Sequence, residues 1–276
     1  MPQPTPAGSA TDVVGADEPV LELDGVRKTF VSPSGESLTV LDGISVRLVA
    51  HQFTVLVGPS GCGKTTLLEA AVGLSTPTAG EVRCFGQPLT ELRKDVGYIT
   101  QQANLFPWYT LRENVELPLQ LRGVDKAERR DRAARFIEIA GLQGFDKHYP
   151  HQLSGGMQKR ASIIRTLIYD PQVVLMDEPF GALDAQTRMI MQDYLLTLWA
   201  ETESTVFFVT HDLHEAVLLA DNVVLLTGRP TKVKEDVPID LARPRNVFES
   251  YTMPGFVDTY DQIWNTFKSE VRGSDA

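Results

Sequence analysis

Cysteine is nearly missing from this chain: there are two in 276 residues, Cys62 and Cys84, and neither has a CxxC partner. So sparse a thiol set excludes a disulfide scaffold and a cysteine-built metal site, and it points to a reducing compartment. No apolar run approaches the roughly 18 residues of a membrane-crossing helix, so the chain is not expected to span a bilayer. Positive charge is in deficit. Lys plus Arg number 26 against 36 for Asp plus Glu, a formal net charge of −10, which argues against broad binding of nucleic acid or of an anionic membrane. The opening residues, MPQPTPAGSATDVVGADEP, carry neither a basic start nor an apolar core and do not read as a secretory signal. Residues 1–18 are rich in Pro, Ala, Gly and acidic groups and read as a disordered leader. Internal repeats are lacking. What remains is ordinary for a globular protein, 42% hydrophobic and 22% charged, and long enough to bury one large core or two small lobes.

The most informative stretch runs from Gly58 to Thr66, GPSGCGKTT, directly behind the apolar run Phe53–Val57. Gly58, Gly63, Lys64 and Thr65 fill the fixed places of G-x-x-x-x-G-K-[ST], with Pro59, Ser60, Gly61 and Cys62 between them and Thr66 behind. Phosphate chemistry needs these residue types. Glycines let backbone N–H groups close around an oxyanion, and the helix expected over Thr65–Val72 adds its positive end. Lys64 reaches outer phosphates as a point charge, and the Thr65 hydroxyl suits a Mg²⁺ bridging them. Nucleoside triphosphate binding follows.

Order is expected to begin at Val20–Leu23. Leu38–Leu41 and Ile44–Val49 read as strands separated by the turn signal Asp42-Gly43, with antiparallel pairing ahead of the phosphate-binding strand. Phe30, just before the loop Ser32–Gly35, reads either as a core aromatic or as a platform for a nucleobase. Val96–Thr100 is a further strand. Residues 126–140, KAERRDRAARFIEIA, set Ala, Phe and Ile at helical spacing opposite charges. The segment from about 102 to 165 is helical and polar beside β-rich flanks, and is expected to form a separate lobe.

Val173–Met176, Val206–Val209 and Val223–Leu226 are continuous apolar runs, as strands buried on both faces are. Helical patterns at Ala185–Ala200 and Leu213–Ala220 alternate with them, giving βαβ units and a parallel sheet. Ligands of such sheets sit at the carboxyl ends of strands. Gly58, Gln101, Asp177 and His211 all fall at those ends. Asp177 closes a buried apolar strand, a costly place for an acid unless a cation accompanies it, so it suits a metal ligand. Glu178 suits orienting or deprotonating an attacking water, unless the acidic pair merely caps a helix. Gln101 is able to sense metal and γ-phosphate without adding charge, but Gln102 is chemically as good. His211 reads as a contact of γ-phosphate or catalytic water, or as a structural histidine.

Leu153-Ser154-Gly155-Gly156-Met157-Gln158 stands before the helix-like run Lys159–Tyr169. A serine and two glycines opening a helix make a second anion site by the physics of the first. One chain therefore carries two phosphate-binding devices and only one lysine-bearing loop. A two-fold dimer sets the LSGGM of one copy against the phosphate loop of the other.

With these residues in place, the chain resembles the ATPase subunit of an ABC transporter over about residues 20–245. GPSGCGKTT stands as Walker A, Gln101 as the Q-loop, LSGGMQ as the signature, VVLMDEP as Walker B, GALD as the D-loop and His211 as the switch histidine. The resemblance implies an α/β fold: a P-loop NTPase core with a mostly parallel sheet, an N-terminal antiparallel β subdomain and an inserted α-helical subdomain. The domain then spans 19–245, with its core at 19–101 and 166–245 and its helical part at about 102–165; residues 246–276 add a terminal helix or two. ATP and Mg²⁺ are the implied cofactors. The resemblance favours Gln101 over Gln102, makes Phe30 the adenine-stacking aromatic, gives Glu178, His211 and Gln101 to catalysis, and gives Thr65, Gln101 and Asp177 to the metal. It also implies that Ser154, Gly155, Gly156, Gln158 and Asp184 act in trans across a head-to-tail nucleotide sandwich. Gly181 departs from the serine common before Ala-Leu-Asp, removing one hydroxyl contact.

LFPWYTLRENVELPLQLRG and LARPRN resemble the importer group for nitrate, sulfonates, taurine and related solutes. Trp108 then either lies on the surface near Gln101, where relatives receive a permease's coupling helix, or packs in the helical lobe. Two permease subunits, and indirectly a solute-binding protein, are the implied partners at the cytoplasmic face of the membrane. An ABC ATPase of DNA repair or translation is disfavoured by the negative charge and by the lack of coiled coils or a second core. A P-loop kinase has no use for LSGGMQ.

Overall fold

The computed structural model describes residues 19–181, 183–202 and 204–273; the expected leader, residues 1–18, lies outside them. Strands β1 (Pro19–Val31) and β2 (Ser37–Val49) pair antiparallel. β3 (Phe53–Val57) then delivers the chain to α1 (Lys64–Ala71), and β4 (Ala79–Cys84), β5 (Gln87–Pro88) and β6 (Val96–Ile99) follow. Helices α2 (Leu111–Leu121), α3 (Lys126–Ile139) and α4 (Gly155–Leu167) come next. β7 (Val173–Asp177), α5 (Ala185–Thr202), β8 (Thr205–Thr210), α6 (Leu213–Leu219) and β9 (Asn222–Leu226) alternate, and β10 (Val233–Pro238) and α7 (Phe256–Gly273) end the described chain.

The strands form two sheets, one of four in the order β2-β1-β4-β5 and one of six in the order β10-β9-β3-β8-β7-β6. The pairings of β9, β3, β8, β7 and β6 are parallel, and β10 adds an antiparallel edge that the sequence did not disclose. Side chains alternate across a strand, so each buried run feeds two cores. Phe53, Val55, Val57, Val174, Met176, Val206 and Phe208 pack on the helix-covered face. Leu56, Val173, Leu175, Phe207 and Val209 pack on the face covered by α1 and the antiparallel sheet. Both faces are dry, which is why these strands are apolar throughout.

One expectation is overturned. Asp42-Gly43 is not a turn between two strands: β2 runs through it as a single strand paired with β1. Val26 faces Ile44 and Lys28 faces Leu41, so β2 carries an extra residue there and bulges, with Gly43 at φ 74°. The long β1 outcompetes a local hairpin as partner, and the Asp42 carboxylate is held by Arg27 at 2.8 Å and Lys232 at 3.2 Å.

The expected amphipathic helix is α3, burying Ala133, Phe136 and Ile137. α2 opens on a capping box in which Thr110 and Glu113 satisfy each other's backbone N–H groups. Leu111, Val115 and Ile137 join the same apolar cluster as one face of the six-stranded sheet. α4 passes through residue 165, so the helical segment is joined to the sheet by a continuous rod. Beyond 245 the chain forms a 3-10 turn (Val247–Thr252) and α7, anchored by Phe256, Ile263 and Phe267.

Candidate active site

The parallel register decides which side chains meet. Val57 lies beside Thr210, Asp177 beside Val209, and Ile99 beside Met176, so these strands end level with one another. Gly58, Gln101, Asp177, Glu178 and His211, each at or just past a strand end, therefore stand along one rim.

Between β3 and α1 the chain makes its phosphate loop. Gly63 caps α1 in the left-handed region, φ 114°, and offers no side-chain cap. A Cβ there would lie 2.5 Å from Val40 Cγ1, so glycine is required on both counts. The first N–H groups of α1 are thus not covered by a capping side chain. Lys64 is 6% exposed; its Nζ donates to the carbonyls of Gly58 (2.9 Å) and Pro59 (3.1 Å) and lies 3.5 Å from Glu178 Oε1. Glu178 Oε2 in turn sits 3.0 Å from His211 Nδ1. An ammonium, a carboxylate and an imidazole thus form a chain across the rim. Glu178 has φ 41°, a strained value for a side-chain-bearing residue and of the sort that clusters at functional sites.

Thr65 Oγ1 donates to Asp177 Oδ2 at 2.8 Å. Burial pushes the Asp177 carboxyl above its ordinary range, partly offset by the Thr65 hydroxyl, while Glu178 adds like charge. Such an acid gains from a cation, and a hydroxyl beside a carboxylate is a hard-oxygen pair that fits Mg²⁺. Among the described residues no group of three His, Cys, Asp or Glu side chains could hold a metal. The pair therefore suits an ion that completes its shell with phosphate and water oxygens.

The other expected site residues fall elsewhere. Ser60 and Gly61 are exposed on the loop, Thr66 is half-buried on α1, and Gln101 and Gln102 are both exposed past β6. Phe30 is 47% exposed, which removes the core reading; it faces Leu38 across the sheet, two residues from the Val40 that abuts Gly63. Trp108, 65% exposed, leaves the lobe-core reading too, and it clusters with Phe106 and Tyr109.

Ser154 caps α4, its Oγ accepting from Met157 N at 3.3 Å, and Ser154 and Gly155 are exposed. Gln158 donates to the carbonyls of Pro150 (2.9 Å) and Leu153 (3.2 Å), so its amide braces its own loop. Asp184 is exposed and accepts from Thr187 N at 2.9 Å. Among the described residues no hydrogen bond joins residues 150–158 to the phosphate loop.

Several participants escaped the sequence. Arg229 Nε donates to the carbonyl of Gly61, and the fully buried Thr231 donates its hydroxyl to that of Cys62. A trans peptide points its C=O and N–H opposite ways, so pinning the Cys62 carbonyl turns the Gly63 N–H away from Thr231. Nothing local in TGRPTK signals this. Cys62 itself is buried, and burial pushes its thiol up; Cys84 is pushed up to about 11, so both are inert free thiols. Lys159, buried on α4, has its ammonium pushed down to about 8 by burial. Its signal was a lysine in line with Ile163 and Thr166 on one helix face.

Known proteins carry the same organisation. The sequence profile of the family described as ABC transporter matches residues 41–181. An ABC transporter ATP-binding protein of Methanocaldococcus jannaschii is 47% identical over 91% of this chain and 92% of its own length. The nitrate import ATP-binding protein NrtD of Synechocystis sp. is 42% identical over 88% of this chain and 93% of its own. A solved dimeric ATP-binding cassette, in a post-hydrolysis state with ADP and Pi, superposes with a TM-score of 0.71 at 33% identity, covering 79% of this chain and 98% of that one. Sequence, superposition and the chemistry of the rim agree: the chain belongs to the ABC transporter family, and it is an ATP-binding subunit that hydrolyses ATP.

Proposed function

We propose that this ATPase drives an importer for a small solute, of the class of nitrate, sulfonates or taurine. Two copies work as a head-to-tail sandwich at the cytoplasmic face of a membrane, joined to two permease subunits and served by a solute-binding protein. Nucleic acid is not a partner. The observation that carries the reading is the separation of two anion-friendly helix starts: α1 opens on Lys64, which is linked to Glu178 and through it to His211, whereas among the described residues the exposed Ser154 at the start of α4 bonds within its own loop. The nitrate-import relative supports the solute class, and the dimeric cassette supports the pairing.

In this reading the loop Gly58–Thr66 grips the triphosphate, with N–H groups and Lys64 on its oxygens, and Phe30 stacks on the adenine. Thr65, Asp177 and Gln101 hold Mg²⁺, which supplies neutralisation of phosphate charge. Glu178 takes a proton from the attacking water as its oxygen bonds to the γ-phosphorus and the bond to the ADP oxygen breaks. His211, 3.0 Å from Glu178, orients that carboxylate and contacts the γ-phosphate. Ser154, Gly155, Gly156 and Asp184 of the second copy close over the nucleotide, with Gln158 stiffening the loop that presents them. The core and the helical segment 102–165 act as two lobes, and the aromatic patch around Trp108, close in sequence to Gln101, receives the permease.

The test mixes two variants. Lys64→Ala and Ser154→Arg chains are each expected to be nearly inactive alone. In an equimolar mixture half the pairs are mixed and one site of each is intact, so turnover recovers to at most roughly a quarter of wild type, well above either variant alone. No recovery would count against a site shared between two chains.

A further inference from the structure

Lys159, in the second turn of α4, is 5% exposed, and no ion pair reaches it among the described residues. The Asp177 carboxylate attracts it from beyond ion-pair distance, but burial outweighs that attraction, so an apolar side chain would cost less there. Its Nζ is instead spent on backbone, donating to the carbonyls of Thr100 at 2.6 Å and Gln101 at 3.0 Å. Arg165, further along α4, continues the pattern: it donates to the carbonyls of Asn104 (2.9 Å) and Ala103 (3.5 Å), and its guanidinium lies 5.6 Å from the centre of the Phe106 ring. One helix therefore grips four of the five consecutive carbonyls from 100 to 104 and touches the aromatic patch beyond them. Ser154 caps the start of that same helix.

We propose that Lys159 is a positioning residue that locks the Gln101 loop to α4, so that Gln101 and Ser154 move as one body. This inference rests on the two-copy reading above. There Gln101 serves its own chain's nucleotide while Ser154 serves the partner copy's, so the lock ties the two sites together. A long cation suits the task because it spans from helix to loop, and two carbonyls fix its direction. Arg165 extends the lock towards Phe106, so the patch assigned to the permease shifts with α4 as well.

The experiment follows ATP hydrolysis against ATP concentration for wild type, Lys159→Met, Lys159→Arg and Arg165→Gln, with nucleotide affinity and melting measured on each. Wild type is expected to hydrolyse cooperatively, with a Hill coefficient above one and bounded at about 2 for two sites. Lys159→Met should bring the coefficient to about 1 and slow turnover about 10-fold, while nucleotide affinity stays within about twofold. Lys159→Arg, which also reaches two carbonyls, should restore most of both. Should Lys159→Met melt below the assay temperature, Arg165→Gln carries the same comparison. Unchanged cooperativity and turnover in the folded variants would overturn the lock. So would a loss of affinity that Lys159→Arg does not repair, since that is general damage. A wild type without cooperativity, in a protein whose Lys64→Ala and Ser154→Arg mixture recovers, would sink the lock alone. A mixture that fails to recover sinks the two-copy reading itself.

Discussion

Two helices of this protein open on glycine-bearing turns, and the chain treats their first residues in opposite ways. α1 starts from a left-handed Gly63 without a side-chain cap, behind a loop whose Gly61 and Cys62 carbonyls are held by Arg229 and Thr231 and whose Lys64 is buried. α4 starts from an exposed Ser154 that caps the helix with its own hydroxyl, in a loop braced from within by Gln158. The same dipole physics applies to both. One end is a finished socket inside a single chain. The other is an exposed surface, which the two-copy reading sets against a second chain.

That contrast can be broken in order of expected effect. Glu178→Gln should slow hydrolysis at least ~100-fold while ATP still binds, and a closed dimer should accumulate on size-exclusion chromatography with ATP. Near-normal turnover would strip the α1 side of its base. Lys64→Ala removes a buried charge-assisted donor and should weaken ATP affinity roughly 10- to 100-fold by equilibrium titration. Ser154→Ala should slow hydrolysis about tenfold and cost about 1 kcal/mol of stability through the lost cap, with affinity for ATP in the single chain unchanged. If binding in the single chain fell as far as hydrolysis, the α4 end would serve its own chain and the contrast would collapse.

The smallest effect concerns a group belonging to neither end. Glu215, in the first turn of α6, has its carboxyl raised from 4.5 to about 7, chiefly by burial. Its neighbours are Thr210 Oγ1 at 2.6 Å, Gln192 Nε2 at 3.1 Å and Arg188 Nε at 3.8 Å. The folded state binds this proton more tightly than the unfolded state does. The associated stability is complete below pH 4.5 and is lost as pH rises to about 7. Glu215→Gln should flatten the melting temperature over that window and leave the hydrolysis rates of both ends nearly unchanged. A slope as steep as wild type's would place the titration elsewhere.

The parts of this molecule that were legible are the parts written locally. Phe53–Val57, Val173–Met176 and Val206–Val209 are apolar without a break because both sides of their sheet are covered, and each appears within a residue of its expected bounds. Gly63 and the helix it opens were legible because G-x-x-x-x-G-K-[ST] after an apolar strand calls for a glycine turn there, and Gly63 caps α1 with φ 114°. Asp42-Gly43 was misread because a turn pair and a bulge share residues, and only the distant partner strand chooses between them. Thr231, Arg229 and Lys159 act on backbone carbonyls, which have no residue identity, so no pattern in the sequence names their targets.

The placing of β3 has a consequence for the newborn chain. The strand that feeds the phosphate loop sits between β8 and β9, its two ladder partners, and both are encoded far downstream, as is the Thr231 that steadies the loop, 169 residues beyond Cys62. A ribosome emits the GPSGCGKTT segment well before β8, β9 and Thr231, the neighbours that shape it. A nascent polypeptide that has made the loop but not yet these partners therefore lacks the ladder that shapes the fuel socket.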